Sequence, residues 1–248
     1  SLATCEAEKT LHPFLSALAA VLYAVCMVRG DVAFHVSFLS RFSCAATDAA
    51  WKELVRLMCY LWHTRKLKLK YRAGSLVMPI FRTAKPPMSP GIFNKMHGLL
   101  IISDASWKVD STYCGVLVLA GGAALDWKAQ LVKVKLSSAE AEIGAGSIGG
   151  KRLVYIRGVL GEILVLEKLP VMHVIDNSAM PALTENVGVS RKTEHFRRWL
   201  HFMRYCVLHG YSYVHLCKTH EMLANALTKV ENKHAFLHFA KVFYNIRS

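Results

Sequence analysis

The sequence predicts an α/β protein in which β-strands carry acidic side chains to one edge of a sheet. Two apolar runs stop at an aspartate: Leu99-Leu100-Ile101-Ile102 breaks at Ser103-Asp104, and Val171 to Ile175 ends at Asp176. Between them lie further β-rich runs, Tyr113 to Ala120, Ala123 to Lys128 and Leu131 to Leu136, and then Ser137-Ser138-Ala139-Glu140-Ala141-Glu142, which reads as a helix start. Apolar strands that end on acids, with a third acid in a helix's first turns, gather negative charge in one place. Such a cluster has few uses other than holding divalent metal through hard oxygen ligands.

Three helices are expected before the sheet. Leu15, Leu18, Leu22 and Val25 fall at helical spacing, with Ala17, Ala20 and Ala24 on the other side, so this helix is expected to be packed all round. It is only about 15 residues long, short of the ~20 a membrane span requires. Asp31 is expected to cap a second helix in which Phe34, Phe38 and Phe42 recur. Thr47 is expected to cap a third, with Trp51, Leu54, Val55, Met58 and Leu61 on one face. The next segment alternates Leu67, Leu69 and Tyr71 with Lys66, Lys68, Lys70 and Arg72, giving a strand-period element with one basic side. That side fits either an edge guarded by lysines or a rail for phosphates. Pro79, Pro86, Pro87 and Pro90 then mark a linker. The expected organisation is a helical segment at 1–72, a proline-rich linker at 73–98 and an α/β domain at 99–248.

Within the α/β part, Ser137 and Glu140 form an S-x-x-E capping box. Glu140 is thereby assigned to the cap. Glu142 lies about 200° further round the helix and is the better ligand. Gly144, Gly146, Gly149 and Gly150 each cost roughly 1 kcal/mol against alanine, so this helix is either tightly packed or interrupted. A short helix is expected near Ala179 and a long amphipathic one over 190–207, with Phe196, Trp199, Leu200, Met203 and Val207 as its apolar stripe and Arg197, His201 and Arg204 on a watered face. Tyr211 to Leu216 reads as a strand, and Glu221 to Lys229 and Lys233 to Tyr244 as closing helices.

Composition fits a polyanion-binding protein. The 248 residues carry a net charge of +14 and are 53% hydrophobic, which argues against disorder. Residues 1–100 hold 13 Lys/Arg against 5 Asp/Glu and residues 151–248 hold 14 against 7, whereas residues 101–150 hold 4 against 5. An acid-rich block between basic flanks suits a polyanion held beside metal ions. Seven cysteines without a CxxC pair indicate reduced thiols and an intracellular setting, cytoplasmic or nuclear. His215, Cys217 and His220 lack a fourth zinc ligand at suitable spacing. The chain opens on Ser1 without methionine or signal-peptide pattern and is expected to be a piece of something longer.

Several motifs occur in a familiar order: Ser103-Asp104-Ala105, Gly121-Gly122-Ala123, Trp127-Lys128, Leu136 to Glu142, Asp176-Asn177-Ser178-Ala179, Lys192-Thr193-Glu194-His195 and Leu223-Ala224-Asn225-Ala226-Leu227-Thr228-Lys229. This series resembles the ribonuclease H domain of copia-type retrotransposon polyproteins. Upstream, Asp31-Val32-Ala33-Phe34, Phe38 to Phe42, Trp51-Lys52 and Tyr60-Leu61 resemble the last part of the adjoining reverse transcriptase. The resemblance implies a ribonuclease H-like mixed five-stranded sheet with flanking helices, preceded by a small, mainly helical thumb- or connection-like segment.

It also implies cleavage of the RNA strand in an RNA–DNA hybrid by two magnesium ions about 4 Å apart, with manganese as a substitute. By position, Asp104, Glu142 and Asp176 are the implied catalytic and metal-binding acids. Asn225 stands where the family has its fourth carboxylate, so a weakened second metal site is expected. His220 reads as a loop histidine or a proton shuttle, and Ser103, Ser137 and Asn177 as loosely placed to reach the 2′-hydroxyls of bound RNA. The implied partners are the hybrid and an upstream reverse transcriptase of the same polyprotein, with no membrane. The alternative is a catalytically decayed nucleic-acid-binding remnant of the same fold. An integrase-like order of acids is absent, as is a polymerase Tyr-x-Asp-Asp motif.

Overall fold

A computed structural model describes residues 10–72, 99–108, 111–132, 137–163, 170–178, 180, 184, 194 and 196–246. The proline-rich stretch, residues 133–136 and most of residues 179–195 lie outside the described residues. The helical segment comprises α1 (Phe14–Met27), α2 (Ala33–Leu39) and α3 (Asp48–His63). The α/β part comprises β1 (Leu100–Ser106), β2 (Thr112–Ala120), β3 (Ala123–Val132), α4 (Ser138–Ile163), β4 (Val171–Ile175), α5 (Arg197–Leu208), β5 (Ser212–Leu216) and α6 (Lys233–Tyr244).

The five strands form one mixed sheet in the order β3-β2-β1-β4-β5. The first three strands pair antiparallel as a meander, and β4 joins β1, and β5 joins β4, in parallel. This is the ribonuclease H-like arrangement expected: a mixed five-stranded sheet with helices on both sides and further helices before it. β1, β2 and β4 read as nearly continuous apolar runs because both of their faces are covered. Leu99, Ile101, Val116, Val118 and Val171 point to one face, where Leu153 and Ile156 of α4 pack on them. Leu100, Ile102, Leu117, Leu119, Met172 and Val174 point to the other, into a core shared with α1–α3 and α6. The helical segment and the sheet are thus packed into one core, and the Trp127 indole N–H on β3 donates to the Val25 carbonyl of α1 at 3.0 Å.

Several local expectations change on folding. Only the stripe Phe14, Leu18, Val21 and Val25 of α1 is buried, and Leu15, Leu22, Tyr23 and Met27 are exposed. The helix lies on the surface of the core rather than inside it. Asp31 caps nothing: it sits in a 3-10 turn (Gly30–Val32) and is fully buried. Its Oδ1 accepts from Arg29 Nε at 3.0 Å and Tyr244 OH at 2.7 Å, and its Oδ2 from Arg29 Nη2 at 2.9 Å and Tyr60 OH at 2.8 Å. The buried carboxylate therefore has a counter-ion and four donors, which is what makes its burial tolerable. Thr47 does cap α3, accepting the Ala50 N–H. Residues 66–72 do not enter the sheet. Their last residues lie against its hairpin end, where the Arg72 N–H donates to Gly121 O at 3.0 Å and Tyr71 OH to Ala124 O at 2.6 Å. Leu67 and Leu69 face the core while the four basic residues are exposed.

The glycine-rich helix is continuous over 26 residues. Its glycines are contact points: a Cβ at Gly149 would lie 3.2 Å from the His173 ring, and one at Gly150 3.1 Å from Phe202 of α5. Packing against the sheet and α5 offsets the poor helix propensity. Within the described residues α5 begins at Arg197, and Arg204 is buried rather than watered. Glu221 to Lys229 is not an α-helix but two 3-10 turns, Thr219–Glu221 and Leu223–Leu227.

Candidate metal centre

Asp104 does not end its strand. β1 continues to Ser106, paired throughout with β2, and Asp104 lies opposite Gly115. The strand stops being covered on its other side instead: pairing with β4 ends at Ile102–Val174. Beyond that point β4 runs out into Asp176, leaving a notch beside Asp104. The start of α4 closes the notch. Ser137 accepts the Glu140 N–H at 3.1 Å, which sets the helix phase and turns Glu142, not Glu140, toward the two aspartates. Each of Asp104, Glu142 and Asp176 offers an oxygen, and these atoms all lie within 4.8 Å of one another.

Crowding and burial both raise the cost of ionising this cluster. Asp104 is 4% exposed, and burial pushes its carboxyl upward, with Asp176 adding to the push. The Glu142 carboxyl is pushed up to about 9, first by burial and then by the charges of Asp104 and Asp176. A hydrogen bond from the Ala105 N–H and the charge of Lys229 act in the opposite sense. Three oxygen donors held this close, with too little positive charge around them, fit a hard divalent cation, whose charge reverses the local preference for the protonated acids.

Asn225 occupies the turn Leu223–Leu227 and is buried. Its Nδ2 donates to Thr219 O at 3.0 Å, while its buried Oδ1 has no partner among the described residues. An amide oxygen left over in this way can serve as a neutral ligand, without the charge of a carboxylate. Asn225 is not itself one of the three converging acids.

Other expected residues fall elsewhere. Ser103 cannot reach a bound strand, because it is 1% exposed and its hydroxyl bonds His173 Nε2 at 2.8 Å. His173 is fully buried on β4, and burial pushes its imidazole down to about 4. Ser137 is engaged as a helix cap. His220 is exposed on the Thr219–Glu221 turn. His215, Cys217 and His220 do not converge as a ligand group among the described residues.

Two residues next to the acids carried no sequence signal of their own. Thr228 Oγ1 donates to Asp104 Oδ2 at 2.6 Å, and Lys229 acts on both Asp104 and Glu142 through its charge. They stand in the motif that also contains Asn225, which was the only available pointer. Cys217, beside the end of β4, has its thiol pushed up to about 12 by burial and by Asp176, Glu221 and Asp104.

No family model matches the chain. Among curated proteins it is 27% identical over 227 residues to the Retrovirus-related Pol polyprotein from transposon TNT 1-94 of Nicotiana tabacum, which spans 90% of this chain and 16% of the polyprotein. It is also 27% identical over 225 residues to the Pol polyprotein from transposon RE2 of Arabidopsis thaliana, spanning 89% of this chain and 14% of that one. The Secreted RxLR effector protein 161 of Plasmopara viticola is 30% identical over 150 residues, or 58% of this chain and 91% of the effector. Among solved structures, RNase H1 from Halobacterium salinarum NRC-1 aligns with 52% of this chain and 93% of its own, at 10% identity and a TM-score of 0.41. LC11-RNase H1, from compost, aligns with 54% and 94%, at 17% identity and a TM-score of 0.42.

The sheet order and the acidic notch define an α/β protein of ribonuclease H-like architecture. The chain is similar over about nine-tenths of its length to copia-type retrotransposon Pol polyproteins. It spans only 14–16% of the length of the polyproteins it matches.

Proposed function

We propose that this chain is the ribonuclease H of a copia-type retroelement, hydrolysing the RNA strand of RNA–DNA hybrids with two divalent ions. The observation that carries the reading is the convergence of Asp104, Glu142 and Asp176 within 4.8 Å. Asp104, Glu142 and Asp176 would hold the cations, magnesium or manganese, with the Asn225 amide oxygen as a further, uncharged ligand. When bound, such ions lower the pKa of an attacking water and stabilise the leaving oxygen. The chain's own part is to hold carboxylate oxygens ready at the notch and to place the cation Lys229 near them. The net charge of +14 supports a polyanionic substrate. In the parent polyprotein the partner on the same chain would be a reverse transcriptase, and the setting intracellular, cytoplasmic or nuclear.

The test is cleavage of an end-labelled RNA–DNA hybrid in magnesium, with Asp104→Asn as the control. Cleavage confined to the RNA strand and abolished in the control is the expected result. Cleavage that survives Asp104→Asn refutes the assignment of the site. One observation favours a second reading: Asn225 in place of the fourth acid suits a decayed remnant that binds the hybrid without cutting it. Hybrid binding without magnesium-dependent cleavage would establish that reading instead.

A further inference from the structure

Thr228 is buried, 2% exposed, and it touches Asp104 across 124 residues of chain. The contact is built by the β1–β2 register. Asp104 faces Gly115, and the turn Leu223–Leu227 lies directly on β2 at that glycine. A Cβ at position 115 would fall 2.8 Å from both Leu227 Cβ and Thr228 Cγ2 and 2.9 Å from the Ala224 carbonyl. Only a residue without a side chain lets the turn come this close, and the close approach brings Thr228 Oγ1 within reach of β1. The hydroxyl has one proton and two acceptors nearby, Asp104 Oδ2 at 2.6 Å and Asn225 O at 3.1 Å. The shorter contact goes to the Asp104 carboxyl oxygen.

An aspartate carboxylate rotates easily about its last torsion, which has broad minima. The Thr228 bond to Oδ2, together with a backbone hydrogen bond from Ala105, restrains that rotation and holds the carboxylate in one plane beside Glu142 and Asp176. We infer that Thr228 is a positioning residue: its hydroxyl fixes the plane of the Asp104 carboxylate so that the notch presents single oxygens in the tight geometry that magnesium demands. Calcium tolerates six to eight ligands and accepts carboxylates through one or both oxygens. A carboxylate released from Thr228 suits calcium as well as before and magnesium less well. This inference rests on the proposed metal centre and adds to it a source of ion selectivity.

The test measures magnesium and calcium binding to the whole chain by calorimetry, alongside thermal unfolding of the metal-free protein. Thr228→Val keeps the shape and the methyl group against Gly115 while removing the hydroxyl, and Thr228→Ser restores the hydroxyl. Thr228→Val is expected to bind magnesium roughly 10- to 100-fold more weakly, to lose markedly less calcium affinity, and to leave Thr228→Ser close to wild type. Thr228→Ala replaces the valine variant should valine prevent folding. If magnesium affinity is unchanged without the hydroxyl, if both ions weaken equally, or if Thr228→Ser is as weak as Thr228→Val, the inference is overturned. Asp104→Asn separates it from the reading beneath it. Wild-type binding that is lost in Asp104→Asn but unaltered in Thr228→Val removes the role of Thr228 alone. A wild-type chain that binds neither ion, or one indifferent to Asp104→Asn, removes both.

Discussion

Magnesium binding by this chain should release a proton, and Glu142 is its source. Its carboxyl is pushed up to about 9 by burial and by two neighbouring acids, so at about pH 7 it is almost wholly protonated in the absence of metal. A cation that uses the carboxylate must displace that proton. The expected release is about one proton per chain at neutral pH. The accompanying affinity rises about tenfold per pH unit up to a value near 9, then levels off. Stability follows with a definite sign. The unfolded carboxyl titrates near its ordinary value of 4.5 and the folded one near 9. Between the two values the folded chain holds more protons than the unfolded chain, so metal-free stability falls as pH rises through that window. Magnesium removes the penalty, and its stabilising effect therefore grows toward alkaline pH. Calorimetry in two buffers of different ionisation heat reads the proton directly, and Glu142→Gln should lower both the release and the pH slope to whatever Asp104, itself pushed upward by burial, contributes. A release near zero in the wild type, or one unchanged in Glu142→Gln, would refute the argument that burial and crowding keep this acid protonated.

Three further outcomes are expected. Asp31→Asn leaves the Arg29 guanidinium buried without its counter-charge and should destabilise the chain by about 3–5 kcal/mol in denaturant unfolding; a loss below about 1 kcal/mol would mean the cluster with Tyr60 and Tyr244 is not a structural tie. Gly149→Ala gains about 1 kcal/mol of helix propensity, but its Cβ meets the fully buried His173 ring at 3.2 Å, an overpacking that costs about 1–3 kcal/mol. A net fall in Tm is expected, and a rise would show that the ring can move aside. Asn225→Asp supplies the fourth carboxylate and should strengthen binding of a second magnesium ion in calorimetric titration; unchanged stoichiometry and affinity would remove position 225 from the metal centre.

Much of the sheet could be read from the chain because its determinants are local. Val171 to Ile175 is apolar and bounded on one side by Asp176, and the strand has those same limits. Ser137 and Glu140 announce the start of α4, and helical phase alone separates Glu142 from Glu140, since both depend only on residues a few positions apart. The turn at Leu223–Leu227 was less legible, because an α-helix and successive 3-10 turns share nearly the same apolar spacing.

Contacts between distant segments were invisible along the chain. Asp31 has the look of a helix cap, and only the arrival of Tyr60 and Tyr244 from 29 and 213 residues away makes it a buried anion. The exposed side of α1 was not foreseeable either, because an apolar helix does not record which of its faces the fold covers. The glycines of α4 look like weaknesses until His173 and Phe202 are brought against them. The residues themselves determined the strands, the capped helix and the supply of acids. The tertiary structure decided that β4 leaves β1 beside Asp104, that Gly115 lets a turn close over β2, and that Thr228 grips the carboxylate, because each of these depends on strand register and on clearances of a few tenths of an ångström.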